Sequence, residues 1–141
     1  MNTKPEDISP DKSNALEIIS LIEKTYGSNI KFQEPADCSD QDLPGCLKEL
    51  LLISDGILET MPHPKTGEIM GIGWIVYSYK EICTETKYYK EEYDLPGTVF
   101  SGDGAGNPYY IYDGKVYEFD PIDNESTLKT ESFVNFFNPE S

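Results

Sequence analysis

The segment from Ser101 to Phe119 constrains the fold of this chain more than any other stretch. It begins with a glycine-rich loop, Ser101–Asn107, and continues as two apolar runs that Asp113-Gly114 separates. A dipeptide of this kind between two such runs is typical of a β-hairpin in which both turn residues take a positive φ. The sequence therefore predicts a C-terminal hairpin with the glycine-rich loop at its entrance.

The position of this turn also decides which side chains of the hairpin face each other. It places Ile111 opposite Val116 on one face and Tyr110 opposite Tyr117 on the other. The hairpin is therefore expected to have an aliphatic face and an aromatic face. Spacing alone is compatible with a buried and with an exposed position for Tyr110, Tyr112 and Tyr117.

Net charge is the outlying property of the composition. The 141 residues include 26 Asp and Glu against 11 basic residues, all of them Lys, whereas a net charge of about 2 to 8 keeps a small domain soluble. The acidic side chains gather in three groups: Asp37, Asp40 and Asp42; Glu91, Glu92 and Asp94; Asp120, Asp123 and Glu125. Negative fields of this kind steer a basic protein partner and disfavour direct binding of nucleic acid. The alternative, that many cytosolic proteins are simply acidic, stays open.

Cysteine usage and the lack of long apolar runs bear on the compartment. Cys38, Cys46 and Cys83 are odd in number and have no CxxC spacing, which disfavours a disulfide framework or a zinc site. Residues 1–10 are polar rather than an apolar signal core, and no run approaches the ~18 apolar residues of a membrane span. We expect a cytoplasmic protein with reduced thiols and no membrane association.

Apolar periodicity, caps and turn residues predict an order of helices and strands. The first expected elements are a helix capped by Asn14 and ended by Gly27, and a short strand around Ile30–Phe32. A second helix is opened by Leu43-Pro44 and ended by a left-handed glycine in Asp55-Gly56, and it is followed by a loop over Glu59–Glu68 and a strand over Ile69–Tyr77. A third helix is opened by the Ser78–Glu81 capping box and ended by Pro96-Gly97, and it is followed by a strand over Thr98–Ser101 before the hairpin and by a helix over Ser132–Phe137 after it. These elements predict a single domain over residues 13–138 behind a polar N-terminal lead of residues 1–12.

Side chains that could carry catalysis are scarce. His63 is the one histidine, and its place between two prolines in a predicted loop favours an exposed loop residue over a base or ligand. Ser54 precedes Asp55-Gly56 without a nucleophile-elbow motif, so we interpret it as structural. We predict no catalytic residue, and hence a protein that is not an enzyme.

The glycine-rich loop invites two ligand-binding interpretations, and its context disfavours both. Gly102, Gly104 and Gly106 precede a strand, whereas a dinucleotide-binding loop precedes a helix and has different spacing. Asp103, Asn107 and Asp113 lack the twelve-residue pattern and closing Glu of a calcium-binding loop. We predict a turn-forming loop, with no cofactor and no metal.

Two stretches, Leu43–Gly56 and Phe100–Asn107, together resemble the SUKH superfamily, the group that includes the fungal cell-wall assembly regulator and many small bacterial proteins. In that family a Leu-Pro opens a helix that ends in an Asn-Gly corner, and a later strand meets a Gly-Asp-Gly loop before an aromatic strand pair. Asp55 stands where Asn is more usual. The structural positions of interest are Leu43, Pro44, Asp55, Gly56, Trp74, Gly102, Asp103, Gly104, Gly106, Asn107, Asp113 and Gly114.

The resemblance implies a fold and a function. The fold is α+β, with a mixed, mainly antiparallel central sheet, the C-terminal hairpin and packed helices. Many bacterial members are immunity proteins, which bind a cognate secreted toxin, often a nuclease or a nucleic-acid deaminase, and block it. The family has no agreed catalytic residues to transfer to this chain.

Charge and resemblance together favour a non-enzymatic binder of a basic protein, most simply an immunity protein. The residues expected at the contact are Asp40, Asp42, Glu91, Glu92, Asp94 and Tyr112. Two alternatives stay open: an intracellular interaction or scaffold module without a toxin partner, and a small-ligand binder that uses the Asp103–Asn107 loop. The oligomeric state is not predicted.

Overall fold

A computed structural model describes residues 10–38 and 40–139, with side chains from residue 14 onward. The elements in chain order are α1 (Pro10–Tyr26), β1 (Ile30–Phe32), α2 (Gly45–Ile53), β2 (Ile57–Pro62), β3 (Ile69–Val76), α3 (Tyr79–Tyr93), β4 (Thr98–Gly102), β5 (Pro108–Tyr112), β6 (Lys115–Asp120), β7 (Glu125–Thr130) and α4 (Phe133–Phe136). None of the helices in these residues combines the length and the apolar character needed to cross a membrane.

The strands form two antiparallel sheets, with the orders β1-β2-β3 and β4-β5-β6-β7. The α+β class is therefore confirmed, but two antiparallel sheets stand where a single mixed central sheet was expected. The sheets meet at the end of β3, where the amide of Tyr77 donates to the carbonyl of Phe100 (2.8 Å) and the hydroxyl of Ser101 donates to that of Ile75 (2.8 Å). Helix α3 connects the two sheets across this junction.

The predicted hairpin is confirmed. Asp113 and Gly114 have φ of 53° and 78°, and Ile111 pairs with Val116 as Tyr110 pairs with Tyr117. Both faces are covered, because Ile111 and Val116 lie in the main core and the stacked rings of Tyr110 and Tyr117 (5.3 Å between centroids) face a second apolar cluster. Tyr110 is buried, Tyr117 half-buried and Tyr112 exposed, so the three tyrosines differ in burial.

The main core lies between α1, α2, the ends of both sheets and α4. Its largest fully buried side chains include Phe100, Ile18, Leu47 and Leu50. Phe100 sits at the centre of an aromatic group, with Phe133 5.0 Å away edge to face. Such aromatic pairs add about 0.5–1.5 kcal/mol beyond their buried area, which explains how a four-residue helix is held at this end of the chain.

Helix starts differ from the predictions in two places. Helix α1 includes Pro10, so the predicted cap at Asn14 is wrong: Pro suits the first turn of a helix, and Asn14 lies inside it, half-buried. Pro44 is the N-cap of α2 rather than its first residue, and its carbonyl accepts from the amide of Lys48 (2.9 Å).

Predictions for the other helix ends are largely confirmed. Gly27 ends α1 with φ of 61°, and Ser78 caps α3 by accepting from the amide of Glu81 (3.3 Å). Helix α3 stops at Tyr93 rather than at Pro96-Gly97, because Asp94 already takes the left-handed conformation (φ 58°). At α4 the hydroxyl of Ser132 accepts from the amide of Asn135.

Two strands were missed. The predicted loop over Glu59–Glu68 is wrong in its first part, because β2 extends to Pro62 and pairs with both β1 and β3. The turn follows at His63, whose Nδ1 accepts from the amides of Lys65 (3.1 Å) and Thr66 (3.3 Å). Strand β7 was not predicted because it is polar and almost wholly exposed, so it lacks the alternating burial pattern by which strands are recognised.

Candidate functional site

A cleft of about 540 Å³ opens between the two sheets. It is bounded by the end of α1, by β2 and β3, by the first half of the glycine-rich loop and by the residues around α4. Its volume falls within the range of about 300–1,000 Å³ that is usual for ligand pockets. This cleft is therefore taken as the candidate site.

Three phenol rings border the cleft: Tyr26, Tyr77 and Tyr109. Burial, helped by Glu85 and other nearby acidic groups, raises the pKa of Tyr77 to about 12. Burial also raises the pKa of Tyr26, with a further contribution from Glu59, and that of Tyr109, with contributions from Glu118 and Asp103. The phenols therefore stay neutral near pH 7 and act as hydrogen-bonding, aromatic walls.

The charges of the cleft are two carboxylates, Glu59 and Asp103, and none of the described residues that line it is Lys. Glu59 projects from β2 directly opposite Gly73 of β3. A Cβ placed on Gly73 would meet nothing within 4 Å, so the strand beside the carboxylate is bare. Within the described chain Glu59 has no ion-pair partner. The cleft therefore carries negative charge that the fold does not neutralise.

The glycine-rich loop forms one rim of the cleft and is closed by its own residues. The Oδ1 atom of Asp103 accepts from the amides of Ala105 (2.7 Å) and Asn107 (3.0 Å), and the amide of Asp103 donates to the carbonyl of Asn107. The bond from Ala105 in particular lowers the pKa of Asp103 below its ordinary value. Gly104 and Gly106 supply positive φ values of 81° and 104°. These bonds explain the loop as a turn, which is how the sequence was interpreted.

Beyond this rim lies a smaller pocket of about 280 Å³. Glu85 and Tyr89 of α3 line it together with Asn107 and Pro108. The side-chain amide of Asn107 donates to Glu118 (3.2 Å), which also pairs with Lys129 (3.4 Å).

In the described residues no group of three or more His, Cys, Asp or Glu side chains is placed to hold a metal ion.

The segment Ser54–Gly56 forms a corner between α2 and β2. The hydroxyl of Ser54 accepts from the amide of Gln33 (2.8 Å) and donates to the carbonyl of Gly56 (2.6 Å). Oδ1 of Asp55 accepts from the amide of Tyr79 (2.7 Å). The segment thus joins the chain after β1, the start of β2 and the start of α3, and the interpretation of Ser54 as structural agrees with these bonds.

Gly56 was predicted to cap α2, and this detail is wrong. Helix α2 ends at Ile53 with Ser54 in an extended conformation. Gly56 does take a positive φ, 88°, but its role is close packing: a Cβ there would lie 2.7 Å from a ring carbon of Trp74 and 2.7 Å from the amide nitrogen of Ser78. Only glycine lets β2 begin this close to the chain that leaves β3.

The residues that were expected at a partner contact are all exposed, and none of them lines the cleft. Asp40 and Asp42 lie in the connection between β1 and α2, whereas Glu91, Glu92 and Asp94 lie at the C-terminal end of α3 and Tyr112 at the end of β5. The expected contact residues therefore come from three separate segments of the chain.

Sequence reasoning missed the cleft itself. Gly71 and Gly73 leave part of one face of the predicted strand Ile69–Tyr77 without side chains. The segment that pairs with this strand was predicted as a loop, so Glu59 was not placed beside it. Register is a long-range property that one strand's pattern does not specify. Tyr26, Tyr77 and Tyr109 lie on three different elements, and no local spacing brings them together.

Comparison with known proteins gives one match. A model of the SMI1 / KNR4 family (SUKH-1) matches residues 19–138, which run from within α1 to just beyond α4 and include every residue that bounds the cleft apart from Pro139. No curated protein and no solved structure was found to match the chain.

Proposed function

Because the chain belongs to the SMI1 / KNR4 family (SUKH-1), we propose that it is an immunity protein. It binds a cognate bacterial toxin of the nuclease or deaminase class and blocks the toxin's active site by protein–protein contact, without catalysing a reaction itself. The partner is a basic protein domain, since an enzyme that acts on nucleic acid needs a positively charged surface for phosphates.

The observation that carries this proposal is an unneutralised acidic surface on a member of this family. Asp40, Asp42, Glu91, Glu92 and Asp94 are all exposed, and the net charge is −15. Exposed carboxylates can occupy the positions that nucleic-acid phosphates take on a nuclease. Complementary charge of this kind accelerates association and excludes wrong partners more than it adds affinity.

Two Glu pairs on helices provide a matched test. In E91Q/E92Q the proposed contact loses two charges from the end of α3, and in E17Q/E23Q the exposed face of α1 loses the same number. Toxin domains encoded beside the chain's gene are co-expressed with each variant, and association is followed by stopped-flow fluorescence. We expect wild-type association to slow by about tenfold or more as salt rises through the range near 0.1 M, where the Debye length is about 10 Å.

E91Q/E92Q should associate more slowly than E17Q/E23Q at low salt, with little change in the dissociation rate. A toxin domain that binds with a salt-independent rate would contradict the electrostatic part of the proposal. Failure of the chain to protect cells from any such toxin domain would contradict the immunity function and favour the interaction or scaffold module without a toxin partner.

A further inference from the structure

We infer that the cleft between the two sheets receives an arginine side chain of the protein partner, which lies among the tyrosine rings and pairs with Glu59. The inference rests on the proposed function, because the occupant belongs to the protein that the chain blocks. The exposed acidic groups accelerate encounter, whereas this cleft provides the specific anchor.

Charge complementarity identifies the occupant as a cation. Glu59 is half-buried, has no ion-pair partner in the described chain and lies beside the bare strand at Gly73. Asp103 adds a second carboxylate at the rim, and no Lys of the described residues borders the cleft. A cation of the partner supplies the counter-charge that Glu59 lacks in the described chain.

The aromatic walls distinguish arginine from lysine. The rings of Tyr26, Tyr77 and Tyr109 border the same space as Glu59, and all three phenols are neutral near pH 7 by the pKa arguments given above. A guanidinium group is planar, stacks on aromatic faces and forms two parallel hydrogen bonds to a carboxylate, whereas an ammonium group is a compact and strongly hydrated point charge. The cleft places aromatic side chains beside a carboxylate, which is the combination that arginine uses.

The size of the cleft fits a side chain together with the backbone that carries it. At about 540 Å³ it is larger than one side chain needs, and it is open rather than enclosed by the fold. Gly73 and Gly104 leave space at two of its walls, since a Cβ on either would meet nothing within 4 Å. An extended loop of the partner can therefore approach the β3 backbone while its arginine enters.

A blocked Gly-Arg-Gly tripeptide is the probe for the full-length protein, with Gly-citrulline-Gly as its neutral counterpart of the same shape and Gly-Lys-Gly as its ammonium counterpart. Binding is followed by amide chemical shifts. We expect the arginine peptide to shift the amides of Gly73, Gly102 and Gly104. The citrulline peptide should bind about tenfold more weakly, because it forfeits a charge-assisted pair.

Variants locate the contact. E59Q should weaken the arginine peptide about tenfold for the same reason, and Y26L about threefold through the lost ring face. E125Q removes an exposed carboxylate outside the cleft and should leave binding unchanged. Thermal melting of each variant checks that it is folded, and E59Q keeps the shape of the side chain.

Several results would overturn the inference. Equal binding of the arginine and citrulline peptides would exclude a charge-assisted site, and equal binding of arginine and lysine would exclude recognition of the guanidinium group. Equal weakening by E59Q and E125Q would place the contact outside the cleft. Lys4 lies outside the described residues. If the substitution K4Q shifted the amides of Gly73, Gly102 and Gly104 in the absence of peptide, the chain's own N-terminal segment would be the occupant, and the inference would be wrong.

The same variants separate this inference from the proposed function. If E59Q bound and blocked the toxin with an unchanged dissociation rate, the cleft assignment would be wrong while the immunity function held. If the peptide bound as described and no toxin domain was bound or blocked, the arginine site would hold and the immunity function would be wrong.

Discussion

The corner Ser54–Gly56 and the loop Asp103–Asn107 each contain an Asp-Gly pair, but the contacts of the two pairs differ. In the corner, the Ser, Asp and Gly each contact a distant part of the chain, namely Gln33, Tyr79 and Trp74. In the loop, Asp103 bonds to residues two and four positions away, and Gly104 and Gly106 have open space around them. Buried polar turns therefore stabilise the architecture here, whereas the exposed turn stabilises itself and leaves its surface free for recognition.

Alanine at Gly56 and at Gly104, which both have a positive φ, should separate the two regions most. G56A introduces a Cβ at φ of 88° that lies 2.7 Å from both Trp74 and Ser78, so left-handed strain and overpacking add to a loss of about 3 kcal/mol. G104A has a similar φ of 81° but open space around it, and should lose about 1 kcal/mol. Urea unfolding measures both values. Equal losses would mean that the corner relaxes as freely as the loop.

Removal of the turn's polar side chain should give the next largest difference. S54A leaves the amide of Gln33 without its acceptor and the carbonyl of Gly56 without a donor, in a region where Ser54 is 1% exposed. A buried unpaired group costs about 1–3 kcal/mol, and we expect a loss of about 2 kcal/mol in urea unfolding.

The matching change in the loop is D103A. Its amide partners are exposed, and water can replace the carboxylate, so the loss should be about 0.5 kcal/mol. A loss for D103A as large as that for S54A would contradict the distinction between the two regions.

The contrast between local and long-range bonds also explains which features could be predicted from the sequence. The Asp113-Gly114 hairpin, the Ser78 cap and the stop at Gly27 depend on residues a few positions apart, and all three were predicted. Strand β2 and the place of Glu59 opposite Gly73 depend on pairing across the chain, and neither was predicted. Strand β7 pairs without burying a face, so it left no hydrophobic pattern.

The candidate site was the least predictable feature for the same reason. Asp103 and Gly104 were singled out as a turn, which they are, but their position beside Tyr26 and Glu59 depends on how the two sheets meet. That junction rests on the bonds of Tyr77 and Ser101. Neither residue carries a sequence signal for such a contact.

Asp55 tests whether the corner needs a charge or only an acceptor. D55A removes the acceptor for the amide of Tyr79 at the start of α3, a change comparable to the loss of an N-cap, and should cost about 1 kcal/mol. D55N keeps an acceptor oxygen for this bond and removes only the negative charge near the start of α3. It should therefore cost only about 0.3 kcal/mol, the lower end of the range for a charge near a helix N-terminus. Urea unfolding of both variants at pH 7 decides the question. Equal losses would show that the carboxylate's charge, rather than the bond, holds the corner.

The smallest expected effect is the acid sensitivity of the loop. Hydrogen bonds from the amides of Ala105 and Asn107 stabilise the Asp103 carboxylate, so its pKa in the folded protein lies below the ordinary value of 3.8. A group whose pKa is lowered by folding stabilises the protein above its unfolded pKa, and this contribution disappears as the pH falls through the folded pKa. A ¹³C titration of the Asp103 carboxyl should therefore have its midpoint below 3.8. Unfolding measured on both sides of that midpoint should show that the wild type loses more stability on acidification than D103N. Because Asp103 is exposed, solvent screens this contribution to stability and keeps it small. A midpoint at or above 3.8 would show that the hydrogen bonds of the loop do not favour the charged form of Asp103.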